Sequence, residues 1–204
     1  MRTILRVVFM TCMCCGVSAP ARAQADVSAD WSHGTTLNGL AGVATDSSRS
    51  SPVLGGAAGW EVTPGLAIEG SGSWLDFGHG SKAFSGSLKV RTRLFGRRTI
   101  DPFLQAGIGM YRASFESGAH RVPVFYGRRM DVSMRGDRLP LTFTDPTVVA
   151  GGGVNIFVNR YLAIRPDVEA TVVLRDRRRH VVTILAVHAV YHFESHPVTP
   201  ALGR

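Results

Sequence analysis

The sequence predicts an all-β protein: an eight-stranded, antiparallel, up-and-down transmembrane β-barrel. Three observations lead to this fold class. Apolar and polar residues alternate with a period of two, as expected for strands with two different faces. Eight such segments follow one another between turn residues, without a sustained helical period. Short turns alternate with longer or more polar connections, as in barrels that have turns at one rim and loops at the other.

The eight predicted strands follow a polar segment, residues 24–34. In chain order they are Thr35–Thr45, Pro52–Val62, Leu66–Phe77, Ala83–Phe95, Pro102–Phe115, Pro146–Val158, Tyr161–Arg175 and His180–Phe193. Tight turns connect strands two and three, four and five, and six and seven, where Pro, Gly or Asn supplies the required backbone angles. The longest of the other connections is residues 116–145, and we expect it to project outward.

The polar faces of the strands indicate which side of the sheet is the inside. In the fourth strand Leu88 and Val90 alternate with charged residues. Eight charged residues share the face opposite the apolar one: Glu61, Glu69, Asp167, Glu169, Lys89, Arg91, Arg93 and Arg165. The rest of that face is mostly glycine and small residues, which suits a narrow lumen better than a water-exposed wall. Because isolated buried charges are unfavourable, we expect ion pairs within a plugged lumen and apolar side chains facing lipid.

The N-terminal residues have the features of a secretory signal peptide. Arg2 and Arg6 precede an apolar run, and Ala21-Arg22-Ala23 supplies a cleavage pattern. The apolar run is shorter than the roughly 20 residues that span a bilayer as a helix, so a membrane anchor is a weaker interpretation than a cleaved signal peptide. A lipoprotein is the other alternative. Cleavage removes all 3 cysteines, so the mature chain has no disulfide. It leaves 20 basic and 15 acidic side chains, a formal charge of +5.

The last predicted strand, HVVTILAVHAVYHF, has an alternating apolar face that ends in an aromatic residue. That face consists of Leu185, Val187, Ala189, Tyr191 and Phe193. The strand resembles the closing strand of small OmpA-like and OmpX-like outer-membrane β-barrels, and DPFLQAGIGMY and AGGGVNIFVNRYLAIRPDVE resemble their fifth to seventh strands. The resemblance implies export to the outer membrane of a Gram-negative envelope. It also implies that the barrel-assembly machinery recognises these five residues during biogenesis.

The chain is therefore predicted to have three regions. They are a signal peptide, residues 1–23, an outer-membrane β-barrel domain, residues 24–193, and a short periplasmic tail, residues 194–204. The tail departs from the family pattern, in which the chain often ends at the aromatic residue. It is too short for a peptidoglycan-binding domain.

Arginines are concentrated in two of the predicted loops. They are Arg121, Arg128, Arg129, Arg135 and Arg138 in the third loop and Arg177, Arg178 and Arg179 in the fourth. Guanidinium groups suit phosphate, and the phosphates near a cell surface belong to lipopolysaccharide. We expect contact through Arg128, Arg129, Arg177, Arg178 and Arg179, with ordinary solvated loops as the alternative. We attribute the integrin-type tripeptide at residues 135–137 to chance, with adhesion to a host protein as the alternative.

Candidate catalytic and metal-binding residues are few. His180, His188 and His192 share a face of the last strand, but residues four apart on a strand are about 13 Å apart, too far to share a metal. His79-Gly80-Ser81 has a spacing similar to lipid A deacylases but stands alone in a loop. We expect no enzyme activity, no cofactor and no metal.

The predicted role is structural or surface interaction by a monomer. Its expected partners are outer-membrane lipid, lipopolysaccharide and, during biogenesis, the assembly machinery, with no nucleic acid, because no nucleic-acid-binding fold accompanies the basic residues. One alternative is an outer-membrane lipid A-modifying enzyme. Another is a soluble periplasmic ligand-binding barrel.

Overall fold

A computed structural model describes residues 34–46, 49–63, 65–78, 80–95, 99–115, 126, 141–159, 161–175 and 178–193. Within these residues the strands are β1 (Thr35–Thr45), β2 (Ser50–Thr63), β3 (Leu66–Asp76), β4 (Ser81–Arg93), β5 (Ile100–Phe115), β6 (Leu141–Phe157), β7 (Leu162–Arg175) and β8 (Arg178–Phe193). Each strand pairs antiparallel with its neighbours, and β8 pairs with β1 to close the barrel. The predicted eight-stranded up-and-down barrel is confirmed. In the described part of the chain, no helix has the length and apolar character needed to cross a membrane.

The two rims of the barrel differ in which strands they connect. At one rim, here the turn end, β2 joins β3, β4 joins β5 and β6 joins β7, and β1 begins where β8 ends. At the other rim, the loop end, the β3–β4 connection contains Gly78 and Gly80 with φ angles of 70° and 74°, which glycine adopts without strain. There Asp76 Oδ1 accepts a hydrogen bond from the Gly78 amide at 2.8 Å.

Strand β6 differs most from the sequence prediction, because it begins at Leu141 and not at Pro146. Proline lacks the N–H that a central strand needs, so a strand that continues through Pro146 is not expected from its sequence. In the structure, residues 141–145 pair with residues 115–111 of β5. Pro146 faces outward, and the ladder between β6 and β7 starts at Thr147. Pro146 thus lies just before the start of the β6–β7 ladder, where its missing N–H breaks no hydrogen bond of that ladder. The other strand boundaries differ by two residues or fewer.

The outer wall of the barrel is apolar. Leu88 and Val168 are 57% and 48% exposed, whereas Arg91 and Glu169, on the opposite faces of the same strands, are 3% and 8% exposed. Large exposed apolar side chains occur on every strand. Soluble monomers rarely expose continuous apolar surface beyond a few hundred Å². The wall therefore has the polarity of a lipid-facing surface, the inverse of a soluble barrel.

Candidate functional site

The lumen is divided between two kinds of side chain. Toward the turn end lies what we call the ionic layer: Glu61, Glu69, Lys89, Arg91, Arg93, Asp101, Arg165, Asp167, Glu169 and His188. Toward the loop end lies the apolar layer: Ala44, Val53, Leu75, Phe77, Ala83, Tyr111, Ala113, Phe115, Tyr126, Val173, Val182, Ile184 and Ala186. All eight charged residues singled out in the sequence face inward, and all belong to the ionic layer.

Glu69 of β3 is the centre of the ionic layer. Its Oε2 accepts hydrogen bonds from Arg91 Nη1 at 2.9 Å and Arg165 Nη1 at 2.8 Å. Lys89 Nζ lies 3.8 Å from the other oxygen, Oε1. Asn38 of β1 adds a longer contact from Nδ2 to Oε2, 3.5 Å. One buried carboxylate thus faces three cations, and a buried ion is tolerable only with such partners.

One further carboxylate, Glu169, and one amide, Asn155, bind two of these cations. Lys89 Nζ donates to Glu169 Oε2 at 2.8 Å, and Gln105 Nε2 lies 3.3 Å from the same oxygen. Arg165 Nε donates to Asn155 Oδ1 at 2.9 Å. Lys89 therefore links Glu69 on β3 to Glu169 on β7, across the barrel interior.

A second ion-pair group lies at the turn end. Arg93 of β4 pairs with Glu61 of β2, and its Nε lies 2.9 Å from Asp101 Oδ2 of β5. Asp101 is completely buried. The sequence prediction placed Asp101 in a turn, although strand alternation continued backward from Gln105 puts it on the inward face.

In the part of the chain that the structure describes, Asp167 pairs with a histidine of β8. His188 Nε2 lies 3.2 Å from Asp167 Oδ2, and His188 Nδ1 lies 2.9 Å from Asn38 Oδ1. The sequence places both residues on inward faces but gives no indication that they meet. His188 is 3% exposed, so it belongs to the same water-poor layer as the arginines.

Phe103 of β5 lies close to two cations of the ionic layer. The guanidinium carbons of Arg91 and Arg165 lie 5.5 and 5.6 Å from its ring centroid. An aromatic face attracts a cation through its quadrupole, and the attraction is stronger where water is excluded. The ring, 1% exposed, thus stabilises both cations.

Tyr126 closes the apolar layer at the loop end. Its ring lies 5.5 Å from Phe115 and stacks on Phe143 at 5.4 Å. The Tyr126 hydroxyl donates to Asp145 Oδ2 at 3.0 Å, and Arg175 Nη1 lies 2.8 Å from the same oxygen. Burial raises the pKa of the Tyr126 phenol, and the Asp145 carboxylate raises it further, so the hydroxyl keeps its proton and remains a donor.

The arginines predicted to contact lipopolysaccharide fall mostly beyond the described residues. Arg128, Arg129 and Arg177 lie outside them, as do residues 1–33, the tripeptide at 135–137 and the tail. Arg178 begins β8, but its side chain is not among those described. Arg179 is exposed at the loop end. The predicted lipopolysaccharide contact of this set therefore stays a prediction.

The predicted assembly face lies on the outer surface of β8. Leu185 and Val187 are each 53% exposed, Tyr191 is 42% and Phe193 46% exposed, and Ala189 is also exposed. Tyr191 contacts Phe193 edge-on at 4.8 Å between ring centroids. Near the turn end, the face therefore presents an aromatic pair to the surroundings of the barrel.

Metal-binding geometry is not found in the described part of the chain, where no three His, Cys, Asp or Glu side chains form a group able to hold an ion. His188 and His192 are both buried on the inward face of β8. Each contacts a different partner, Asp167 for His188 and the Phe157 ring for His192. His79, predicted as part of a deacylase-like triplet, lies outside the described residues.

Several solved outer-membrane barrels are similar to this structure. The N-terminal β-barrel domain of Pseudomonas aeruginosa OprF is 10% identical, with a TM-score of 0.54 over 79% of this chain and 100% of that one. Neisserial surface protein A is 12% identical, with a TM-score of 0.58 over 79% and 97%. Ail, the attachment invasion locus protein of Yersinia pestis, is 11% identical, with a TM-score of 0.51 over 80% and 99%. The predicted resemblance to small outer-membrane barrels is thus confirmed for the fold. No family model and no curated protein matches the sequence.

Proposed function

We propose that the chain is an integral outer-membrane protein with a structural or surface-interaction role and a lumen that does not conduct. The observation that carries the proposal is the inverted polarity of the barrel. Leu88 is 57% exposed while Arg165, a permanent cation, is completely buried. A lipid environment stabilises this arrangement, and water does not, because lipid solvates the apolar wall and the closed sheet leaves no edge without hydrogen bonds.

The proposal of a closed lumen is supported by how the two layers are filled. In the ionic layer, Glu69, Lys89 and Glu169 join strands on different sides of the barrel through contacts of 3.8 Å or less. In the apolar layer, Phe115 and Tyr126 pack together at the loop end. An eight-stranded barrel encloses little more than its own side chains. We therefore expect the folded protein to pass neither ions nor solutes.

Membrane fractionation and gel migration test the proposed location. We expect the protein in outer-membrane fractions, extracted only with detergent, and we expect boiled and unboiled samples to migrate differently because the folded barrel resists the detergent. Recovery in the soluble periplasmic fraction, without a heat-dependent shift, would establish the soluble-barrel alternative instead. Planar-bilayer recordings test the closed lumen separately, and stepwise conductance would contradict it.

A role without catalysis is supported by where the polar groups lie. The buried histidines His188 and His192 point into the lumen, away from the outer wall where the acyl chains of a lipid substrate lie. Lipid A extracted from cells with and without the protein provides the test. We expect the same acylation pattern in both. A change in the number of acyl chains would favour the lipid A-modifying enzyme.

Contact between the basic loops and lipopolysaccharide is part of the proposal. Its support is the arginine-rich sequence at residues 177–179 and the exposure of Arg179 at the loop end. Replacing Arg177, Arg178 and Arg179 with Ser should leave the heat-dependent migration intact and weaken lipopolysaccharide binding. Equal binding by this variant and the unaltered protein would reject the contact.

Assembly through β8 is the remaining part of the proposal. The outward aromatic pair Tyr191 and Phe193 supports it, because the pair lies exposed at the end of the closing strand. Replacing Phe193 with Ala should reduce the amount of folded barrel in cells while leaving refolding into detergent nearly unchanged. Equal losses in cells and in detergent would indicate a role in stability alone.

A further inference from the structure

The outer wall of the barrel carries its charges at one end. Among the residues whose side chains the structure describes, the exposed charged ones are Asp76, Lys82, Arg112 and Arg179, and all lie near the loop end. The described exposed residues near the turn end include Trp60, Val62, Leu66, Phe95, Ile100 and Phe193, none of them charged. Among these described side chains, the exposed cations of the outer wall therefore lie at the loop end, where they outnumber the one exposed carboxylate.

Lys82 and Arg112 lie side by side on this outer wall. Lys82 of β4 is opposite Ser114 of β5, and Arg112 of β5 is opposite Phe84 of β4. Lys82 and Arg112 are thus diagonal neighbours on adjacent strands, with Cβ atoms about 7 Å apart. Both side chains are long enough to reach one ligand between them.

Hydroxyl groups continue the same surface toward β6. Thr144 is opposite Arg112, and Thr142 is opposite Ser114, with which it shares a hydrogen bond of 3.0 Å between hydroxyl oxygens. We define the cationic wall patch as Lys82, Arg112, Ser114, Thr142 and Thr144. It combines two cations with three hydroxyl groups, a donor set that suits the oxygens of a phosphate.

The cationic wall patch borders the apolar wall directly. Phe84 and Met110, the next outward residues toward the turn end on β4 and β5, are 46% and 62% exposed. Trp74 of β3 lies opposite Phe84 and is 49% exposed. Aromatic rings at this position are typical of the level at which lipid headgroups begin. A ligand bound at the patch can thus place its acyl chains against Phe84 and Met110.

We propose that the cationic wall patch binds the phosphate of an anionic lipid in the leaflet at the loop end. The inference rests on the proposed membrane location and assigns the contact to the barrel wall, where the sequence indicated only loops. Arg112 supplies the planar fork that matches phosphate, and Lys82 supplies a second charge. Asp76, opposite Lys82, favours Arg112 as the stronger of the two contacts. A lipid is the fitting occupant because its apolar part lies where the wall is apolar.

The test uses the full mature barrel refolded in detergent micelles. Binding of diphosphoryl lipid A is measured by native mass spectrometry, with phosphatidylcholine, whose phosphate is balanced by a choline cation, as the reference of zero net charge. Each basic residue near an anionic surface contributes about fivefold to lipid binding, so K82S/R112S should bind lipid A about 25-fold more weakly. T92S, on the same outer face of β4 near the turn end, should remain within about twofold of the unaltered protein, as should K82R, which keeps the charge.

Three results would overturn the inference. They are unchanged lipid A binding by K82S/R112S, an equal loss in T92S, and displacement of lipid A by inorganic phosphate alone, which would indicate a site for a free anion. Each variant is first checked for heat-dependent migration. If the unaltered protein lacks this shift, the proposed function fails. If the variants shift normally and bind lipid A normally, only the wall patch fails.

Discussion

The ionic layer and the apolar layer fill one lumen by different means. On the inward face of β7, Arg165, Asp167 and Glu169 are followed toward the loop end by Thr171 and Val173. Along this face the charged residues are thus followed by an apolar one, before Arg175 at the loop-end rim, which pairs with Asp145. In the ionic layer each side chain depends on a partner from another strand, whereas in the apolar layer it depends on close contact alone.

This difference determines how each layer responds to mutation. Removing one member of an ionic group leaves a charge buried without its counterion. The loss in free energy of unfolding then grows with the number of partners that the removed residue had. Truncating an apolar side chain leaves a cavity, and the loss in free energy of unfolding grows with the volume removed. The two layers can therefore be told apart by measuring the free energy of unfolding of matched variants in the same lipid.

The largest effect is expected at Glu69. Glu69→Leu leaves Lys89, Arg91 and Arg165 without their shared carboxylate and should destabilise the barrel by about 3–5 kcal/mol or prevent folding. Glu69→Gln keeps the shape of the side chain and one acceptor oxygen, so it should reduce the free energy of unfolding by less than Glu69→Leu does. Guanidinium unfolding in lipid vesicles measures both. Equal stability of Glu69→Leu and the unaltered protein would show that the ionic layer is hydrated.

The apolar layer is tested at Phe115, which is 1% exposed and contacts Tyr126 and Phe143. Phe115→Ala should reduce the free energy of unfolding by about 3 kcal/mol, because the cavity cannot collapse between fixed strands. Phe84→Ala on the outer wall is the matched control, since lipid fills the space that the ring leaves. A loss at Phe84 as large as that at Phe115 would contradict a packed loop end.

The coupling between Lys89 and Glu169 separates ion pairing from simple burial. Lys89→Met and Glu169→Leu should each destabilise the barrel, while the double variant should be more stable than the sum of the two losses predicts. We expect a coupling of about 2 kcal/mol, since the atoms are 2.8 Å apart and nearly buried. Additive losses in a double-mutant cycle would mean that the two residues act independently.

The smallest effect is expected for the hydrogen bond between the Tyr126 hydroxyl and Asp145 at the loop end. Tyr126→Phe keeps the ring stacked on Phe143 and removes one hydrogen bond to Asp145, so about 1 kcal/mol should be lost. Asp145 keeps Arg175 as a partner at 2.8 Å, which limits the loss. A loss well above that of Phe115→Ala would mean that the hydroxyl, and not the ring, holds Tyr126 in place.

The sequence predicted the fold because the information that specifies it is local. Alternation assigns each residue to a face, and Pro, Gly and Asn mark the turns. Partners within the lumen could not be predicted in the same way. Lys89 and Glu169 are 80 positions apart in the chain, and Asn38 and His188 are 150 apart. Their meeting depends on the stagger of the closed sheet, which no local pattern contains.

The apolar layer was missed for a related reason. Val173 and Val182 are fully or almost fully buried, while their outward neighbours Leu174 and Val181 are 38% and 47% exposed. An apolar residue on the inward face is indistinguishable in sequence from one facing lipid. Only a polar residue shows which face is the inner one, and near the loop end polar residues are fewer. Tyr126 lies between strands, where alternation gives no information.

Lipid contact with the wall can be measured most directly with nitroxide labels at single introduced cysteines. At Leu88 and Val168, the account predicts that oxygen, which dissolves in lipid, collides with the label far more often than a water-soluble nickel chelate does. At Arg179 the order should reverse. Greater access of the nickel chelate than of oxygen at Leu88 and Val168 would contradict the account, because the apolar wall would then face water.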